Sequence, residues 1–270
     1  MKKLKKVIKG FLDEKVGYIS PSWGVISPGA EYVSFDIFDT LISRKTGKPV
    51  QLFEYMEKQL CMPGFSEKRI KAERDARNKS QNGEVTLKEI YQSFEGVSPD
   101  KAEELCRKEL EAELSVCRFN KRLKKLYRQC IENKKVILTS DMYLTSEMME
   151  KLLESCGIRG YERLFISCEA GVSKRSGELY RYVLSELGIS PKQLVHIGND
   201  IMTDDICACL KGIRAVKVRT MPYRRLQSLK KNILRGGNNE NRTSHLRHKA
   251  RGYKNVPTGQ GTEKTAQHLC

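Results

Sequence analysis

Apolar and polar positions change their period twice along the chain. In YVSFDIFDTLISR, Tyr32 to Arg44, they read as a buried, β-rich strand that runs into two carboxylates, Asp36 and Asp39, and then Thr40. From about Pro49 to Asn120 the spacing turns helical, in QLFEYMEKQL, FSEKRIKAERDARNK, TLKEIYQSFEG and SPDKAEELCRKELEAELSVC. Thr86 and Ser98 stand where N-caps belong, and Pro99 follows at the first helical position. After that block a helix at about 120–133 leads to the strand KVILTS. Helix 145–156, strand RLFIS, helix 177–188, strand LVHIG, helix 203–211 and strand IRAVKV follow in turn. Strands alternating with helices predict a parallel sheet covered on both faces. The expected fold class is α/β: a Rossmann-like parallel sheet over 31–48 and 119–220, interrupted after its first strand by a helical cap over 49–118.

The two ends read differently. Leu4, Val7, Ile8, Phe11 and Leu12 fall on one face of a helix whose other face is lysine-rich. Such a helix suits weak contact with an anionic membrane surface or docking on its own domain. GYISPSWGVISPGA then reads as a turn-rich connector, so 1–30 is expected to be a basic helix and linker. A basic helix is expected over 221–235, and 236–270 is polar and aperiodic, the pattern of a disordered tail.

Charge changes the picture only once it is divided. Of the +17, residues 1–10 carry five lysines and no acid, and 219–254 carry eleven Lys or Arg against Glu240 alone. The body between them is close to neutral. The basic C-terminal stretch has no aromatics besides Tyr223 and Tyr253, which suits salt-sensitive phosphate contact and not specific nucleic-acid recognition. Apolar runs fall well short of the roughly 18 residues of a membrane span, and no secretory-type apolar region opens the chain. Nine scattered cysteines without a CxxC pair fit free thiols in a reducing compartment, so the expected location is cytoplasmic.

In a parallel α/β sheet, ligands bind outside the carboxyl ends of the strands. The first strand delivers Asp36 and Asp39 there, and the second delivers Thr139 and Ser140. The fourth delivers HIGNDIMTDD, with Asn199, Asp200, Asp204 and Asp205, while GVSKRSGELY offers Lys174 ahead of a helix. Clustered carboxylates need a neutralising cation, and an all-oxygen set selects a hard ion such as Mg2+. Such a site suits a phosphoryl group held by the metal, Ser140, Lys174 and loop amides, with a carboxylate as nucleophile.

DIFDT, a Ser closing the second strand, the later Lys and the acidic GNDIMTD occur in an order that resembles the haloacid dehalogenase (HAD) superfamily of aspartate-nucleophile hydrolases, over about Tyr32 to Val218. SFDIFDTLISR, SDMYL, SKRSGELY and HIGND further resemble a bacterial subgroup encoded beside, or fused to, glycosyltransferases of surface-polysaccharide synthesis. The resemblance implies that Asp36 attacks phosphorus and binds magnesium, that Asp39 is general acid and base, and that the Phe38 carbonyl joins the metal. It further implies that Thr40 shapes the loop, Ser140 holds the phosphoryl group and Lys174 steadies the nucleophile.

Many relatives read Gly-Asp where Asn199 follows Gly198 here, so the remaining metal ligands are expected to be Asp200 and Asp204, with Asn199 or Asp205 as alternatives. Dehalogenases lack an acid at the place of Asp39, so the resemblance implies a phosphatase, or less often a phosphomutase, for a small phosphomonoester, of sugar type in the sense the subgroup suggests. A rival expectation is a HAD-fold regulatory or partner module of a glycosyltransferase system. Arg69, Arg74 and Arg77 read as a salt-bridged face of the cap, or as contacts to an anionic substrate. His196 reads as a packed strand histidine, and Asp141 as a brace for the turn after it.

Overall fold

The structure, a computed structural model, describes the backbone of residues 16–19 and the whole of residues 29–218. The predicted helix at the N-terminus, the basic helix at 221–235 and the tail at 236–270 lie outside the described residues.

Six strands form one parallel sheet. They are β1 (Val16–Ile19), β2 (Tyr32–Phe35), β5 (Lys135–Ser140), β6 (Arg163–Ile166), β7 (Leu194–Gly198) and β8 (Arg214–Val218), in the spatial order β1-β8-β7-β2-β5-β6. The central strands are apolar almost throughout, because both of their faces are covered. On one face Val33, Phe35, Leu138 and Ile197 pack with Leu126 and Tyr127 of α5 (Lys124–Asn133) and Leu152 of α6 (Ser146–Ser155). On the other, Tyr32, Ile137 and Leu194 pack with Tyr180 and Val183 of α8 (Glu178–Leu187) and Ala208 of α9 (Cys207–Leu210). A short helix, α7 (Ser167–Ala170), follows β6.

The connector expected before Tyr32 contains a strand. β1 forms one edge of the sheet and pairs with β8, Val16 opposite Ala215 through Ile19 opposite Val218. A four-residue strand with Gly17 inside it has too little alternation to be read locally, and only its parallel partner defines it. The first strand also ends at Phe35, one residue before Asp36, so Ile42–Arg44 is a separate strand, β3.

Between β3 and β4 (Cys117–Phe119) lie four helices: α1 (Pro49–Leu60), α2 (Phe65–Lys79), α3 (Leu87–Gln92) and α4 (Pro99–Val116). The predicted caps are present. The Thr86 hydroxyl accepts from Glu89 N, and the Ser98 hydroxyl accepts from Lys101 N. β3 and β4 pair antiparallel, so the chain leaves and re-enters the sheet domain side by side. Arg44 on that ribbon donates to both oxygens of the buried Glu113, at 2.7 and 2.8 Å.

Inside the helical segment α2 buries Phe65, Arg69, Ala72 and Ala76 at helical spacing. Arg69 is therefore neither solvated nor turned to a substrate. Its guanidinium donates to Glu109 at 2.6 and 2.8 Å, Tyr91 donates to the same carboxylate at 2.7 Å, and Arg69 also reaches Glu73 at 3.1 Å. Arg77 pairs with Glu73 at 2.9 Å, whereas Arg74 comes no nearer to an acid than 4.0 Å, to Asp75. Among the described residues, no helix is long and apolar enough to cross a membrane.

Candidate active site

β2 lies between β5 and β7, so the loops leaving the carboxyl ends of these three strands meet. Asp36 is the first residue beyond β2 and is anchored by its N–H to Ile197 O at 2.9 Å. The residue is 6% exposed. The loop curls back on itself, so that Thr40 Oγ1 donates to Asp36 Oδ2 at 2.8 Å. Asp39 takes the strained position of that curl, with φ +59°, and faces solvent. Phe38 is half-buried, and the Arg44 guanidinium lies 4.0 Å from the centre of its ring.

A buried ammonium meets Asp36. Lys174 Nζ donates to Asp36 Oδ1 at 2.6 Å and to Asp204 Oδ1 at 2.7 Å. Its loop is held by Asp141, whose carboxylate accepts from the backbone N–H groups of Lys174 and Arg175. Asp141 thus braces the lysine loop across the site and not the turn that follows it.

Asp204 is saturated. Asn199 N and Asp200 N each donate to its Oδ2 at 2.9 Å, and His196 Nε2 lies 3.3 Å from its Oδ1, beside the lysine. This carboxylate packs so closely over the chain that a Cβ at Gly198 would overlap it. The expected helix over 203–211 opens instead as a wide turn, Ile201–Ile206, in which Asp205 N reaches back to Asp200 O. Asp200 caps that turn. Its Oδ1 accepts from Met202 N and Thr203 N at 2.8 Å each, and the residue is exposed. Asp205 is buried against β8, 3.4 Å from Lys217, with Oδ1 unpartnered.

His196 is more than packing. Asp204 can only accept, so Nε2 carries the proton, and burial, outweighing the Asp204 bond, lowers the pKa of the ring so that it is neutral. Nδ1 then accepts from Ser34 Oγ at 2.9 Å, which in turn accepts from Thr139 Oγ1 at 2.9 Å. A hydrogen-bonded chain thus crosses three strands beneath Lys174. The signal was present in the sequence, as single polar residues inside YVSF and LVHIG, but a lone polar residue does not name its partner.

Electrostatics splits the two aspartates. Burial, then the charge of Asp204, pushes the Asp36 carboxyl up to about 7, against Lys174 and Thr40, which favour its charge. Burial opposes ionisation of Asp204 as well, but Lys174 and His196 outweigh it and hold that carboxyl well below the usual range. Lys174 stays charged because Asp36, Asp204 and Asp141 outweigh its own burial.

Asn199 is half-buried, with Oδ1 3.0 Å from Thr40 Oγ1. The Thr40 hydroxyl has one proton, which goes to the carboxylate of Asp36 as the stronger acceptor. Ser140 is buried at the end of β5. Above these residues opens a cleft of about 930 Å³, floored by Asp36, Ser140 and Lys174 and roofed by Phe53, Ile70 and Arg74.

Of the predicted positions, the structure brings Asp36, Thr40, Lys174 and Asp204 into direct contact and leaves Asp39 and Asp200 exposed at the rim. The predicted magnesium set does not assemble. Asp200 and Asp204 are committed to backbone and side-chain donors, and among the described residues no three His, Cys, Asp or Glu side chains gather as a cation site. The physical reason is competition: the turn after Gly198 offers its own N–H groups, and these claim Oδ2 of Asp204 and Oδ1 of Asp200. The oxygens present do not fit a preformed magnesium site.

No family model and no curated protein matches the sequence. Solved structures do match the fold. One is the L-2-haloacid dehalogenase of Xanthobacter autotrophicus with chloropropionic acid covalently bound, at 14% identity, covering 72% of this chain and 80% of that one, with a TM-score of 0.51. Another is the HAD hydrolase YfnB of Bacillus subtilis bound to magnesium, at 14% identity, 72% and 92% coverage and a TM-score of 0.50. A third is the HAD family enzyme BT-2542 of Bacteroides thetaiotaomicron, at 18% identity, 72% and 96% coverage and a TM-score of 0.52. The parallel sheet, the helical segment inserted after β2 and these likenesses together give the chain the haloacid dehalogenase fold.

Proposed function

We propose that the protein is a hydrolase that uses Asp36 as nucleophile on a small phosphomonoester. The reading rests on one observation above all: a carboxylate at the tip of the central strand, under a cleft, gripped by a buried lysine on one oxygen and a hydroxyl on the other. Two fixed donors set the rotamer of Asp36 and hold it for attack. Asp36 forms a bond to phosphorus as the bond to the leaving alkoxide breaks, and Asp39, at the cleft rim, protonates the leaving oxygen. Water, deprotonated by Asp39, then attacks the aspartyl-phosphate, releases inorganic phosphate and restores the carboxylate. Lys174 balances the charge of Asp36, and Ser140 lies at the strand end, where a phosphoryl oxygen would sit.

The substrate we favour is a sugar phosphate of surface-polysaccharide synthesis, turned over in the cytoplasm alongside a glycosyltransferase. Magnesium, to which YfnB is bound, belongs to this reading as an ion that arrives with phosphate, because the protein's own acids are largely committed. That commitment also favours a second reading, a catalytically silent module of a glycosyltransferase system. Release of phosphate from a panel of sugar phosphates and p-nitrophenyl phosphate, with Mg2+ present, separates the two. Turnover lost in Asp36→Asn supports the hydrolase. No release from a folded protein on any member of the panel supports the silent module.

A further inference from the structure

The cations that line the cleft divide into paired and unpaired. Arg44 is held by Glu113, and Lys174 is committed to Asp36 and Asp204. Arg77 lies between Glu73 and the Gly83 carbonyl, to which it donates at 2.9 Å. Arg74 is different. α2 turns Ile70, Glu73, Arg74 and Arg77 toward the cleft at helical spacing, while Phe65, Arg69, Ala72 and Ala76 are buried on its other side. The Arg74 side chain is 67% exposed, and its nearest acid among the described residues is its own neighbour Asp75, at 4.0 Å. Adjacent residues on a helix do not face each other, so that approach does not engage the guanidinium. The acids of the cleft are turned elsewhere: Glu73 accepts from Arg69 and Arg77, Glu84 accepts from Ser167 Oγ at 2.6 Å, and Asp39 and Asp200 belong to the loops of the sheet domain. Arg175, also exposed, follows Lys174 directly and so belongs to the end of the cleft where Asp36 lies.

Beside Arg74 the roof is apolar and open. Val50 of α1 and Ile70, one turn before Arg74, are 43% and 40% exposed, surfaces that gain by covering the carbon skeleton of a ligand. The cleft, at about 930 Å³, has room for much more than a phosphoryl group. A guanidinium fork matches a carboxylate or a phosphate with two parallel hydrogen bonds. We infer that Arg74 is a second anchor, so that the substrate is a phosphate ester with another anionic group at its far end. The phosphoryl group meets Asp36, the carbon skeleton passes under Val50 and Ile70, and Arg74 grips the second oxyanion. The inference rests on Asp36 being the group that meets phosphate, and it narrows the proposed sugar phosphate to esters that carry two anionic groups. A sugar monophosphate with a neutral far end leaves Arg74 facing water and gains nothing from it.

The test is calorimetric titration of the full chain carrying Asp36→Asn, so that no ester is consumed, with Mg2+ present throughout. The probes are glucose 6-phosphate, whose far end is neutral, 6-phosphogluconate, whose far end is a carboxylate, and glucose 1,6-bisphosphate. Stabilisation of the native chain against heat by the same probes is a second readout that needs no change at Asp36. At least one of the two-anion probes should bind about tenfold or more tightly than glucose 6-phosphate, the worth of one charge-assisted pair, and which one gains tells carboxylate from phosphate. Adding Arg74→Met, checked for an unchanged melting curve, should remove that advantage and leave glucose 6-phosphate unaffected, whereas Arg175→Met should keep the advantage. Equal affinity for all three probes, no binding of either two-anion probe, or an advantage that survives Arg74→Met would overturn the inference. Because these readouts need no turnover, they stand apart from the phosphate-release assay. Release without the binding advantage sinks the inference and spares the hydrolase, and an Arg74-dependent advantage without release does the reverse.

Discussion

Lys174 Nζ lies 2.6 Å from Asp36 Oδ1 and carries the only ammonium that bridges Asp36 to Asp204 among the described residues. Two buried carboxylates on a shared cation are stable only while that cation stays.

Lys174→Met, similar in length, should therefore destabilise the protein by about 3–5 kcal/mol at neutral pH, since it leaves two buried acids facing each other. Part of the loss should return as the pH is lowered, because protonating one acid removes the repulsion. Urea unfolding at two pH values measures both effects, and a pH-independent loss would rule out the carboxylate explanation.

Asp39 is tested through the leaving group. If it protonates the departing oxygen, Asp39→Asn should lower kcat on an alkyl or sugar phosphate by about 10²–10⁴. p-Nitrophenyl phosphate, whose phenolate leaves without help, should lose much less in the aspartyl-phosphate step. An equal loss on both substrates in the rate of that first step, followed as the burst of released alcohol or phenolate, would assign the exposed, left-handed Asp39 to loop geometry alone.

Asp205 predicts a pH dependence of stability. Burial, only partly offset by Lys217, raises its carboxyl from 3.8 to about 6. A raised acid binds its proton more tightly in the folded state, so folding is penalised progressively as pH climbs from about 4 to about 6, and fully above that. Asp205→Asn should gain about 2–3 kcal/mol at pH 8 and nothing near pH 3.5. Thermal or urea unfolding of both proteins across that window checks it, and a gain that is constant with pH would contradict it.

The buried pair in the helical segment gives a fourth expectation. Glu109→Ala leaves the buried Arg69 only Glu73, at 3.1 Å, and takes the acceptor of Tyr91, and it should cost about 3–5 kcal/mol. Arg69→Met combined with Glu109→Leu should recover most of that loss, since the apolar pair needs no compensation for desolvated charge. A double variant no more stable than Glu109→Ala would mean that the pair fills a shape no apolar residues reproduce.

The sequence by itself determined the elements whose period is strong. The alternation after Asn120, the four helices before it and the caps at Thr86 and Ser98 follow from hydrophobic spacing and backbone satisfaction, which are local. It also placed Asp36 and Asp204 at the ends of neighbouring strands, with Lys174 in a loop ahead of a helix start, because a parallel α/β order leaves few alternatives.

Tertiary structure decided the rest. β1 exists only through its partner β8, and the β3–β4 ribbon pairs Ile42 with Phe119, 77 positions further along the chain. Arg69 looks like surface charge until Glu109 and Tyr91 close around it. Above all, the same turn that carries Asp200 and Asp204 supplies the amides that claim them, and His196 reaches Asp204 from inside the sheet. Which way a carboxylate turns is settled by the nearest donors in space, and spacing along the chain does not encode that competition.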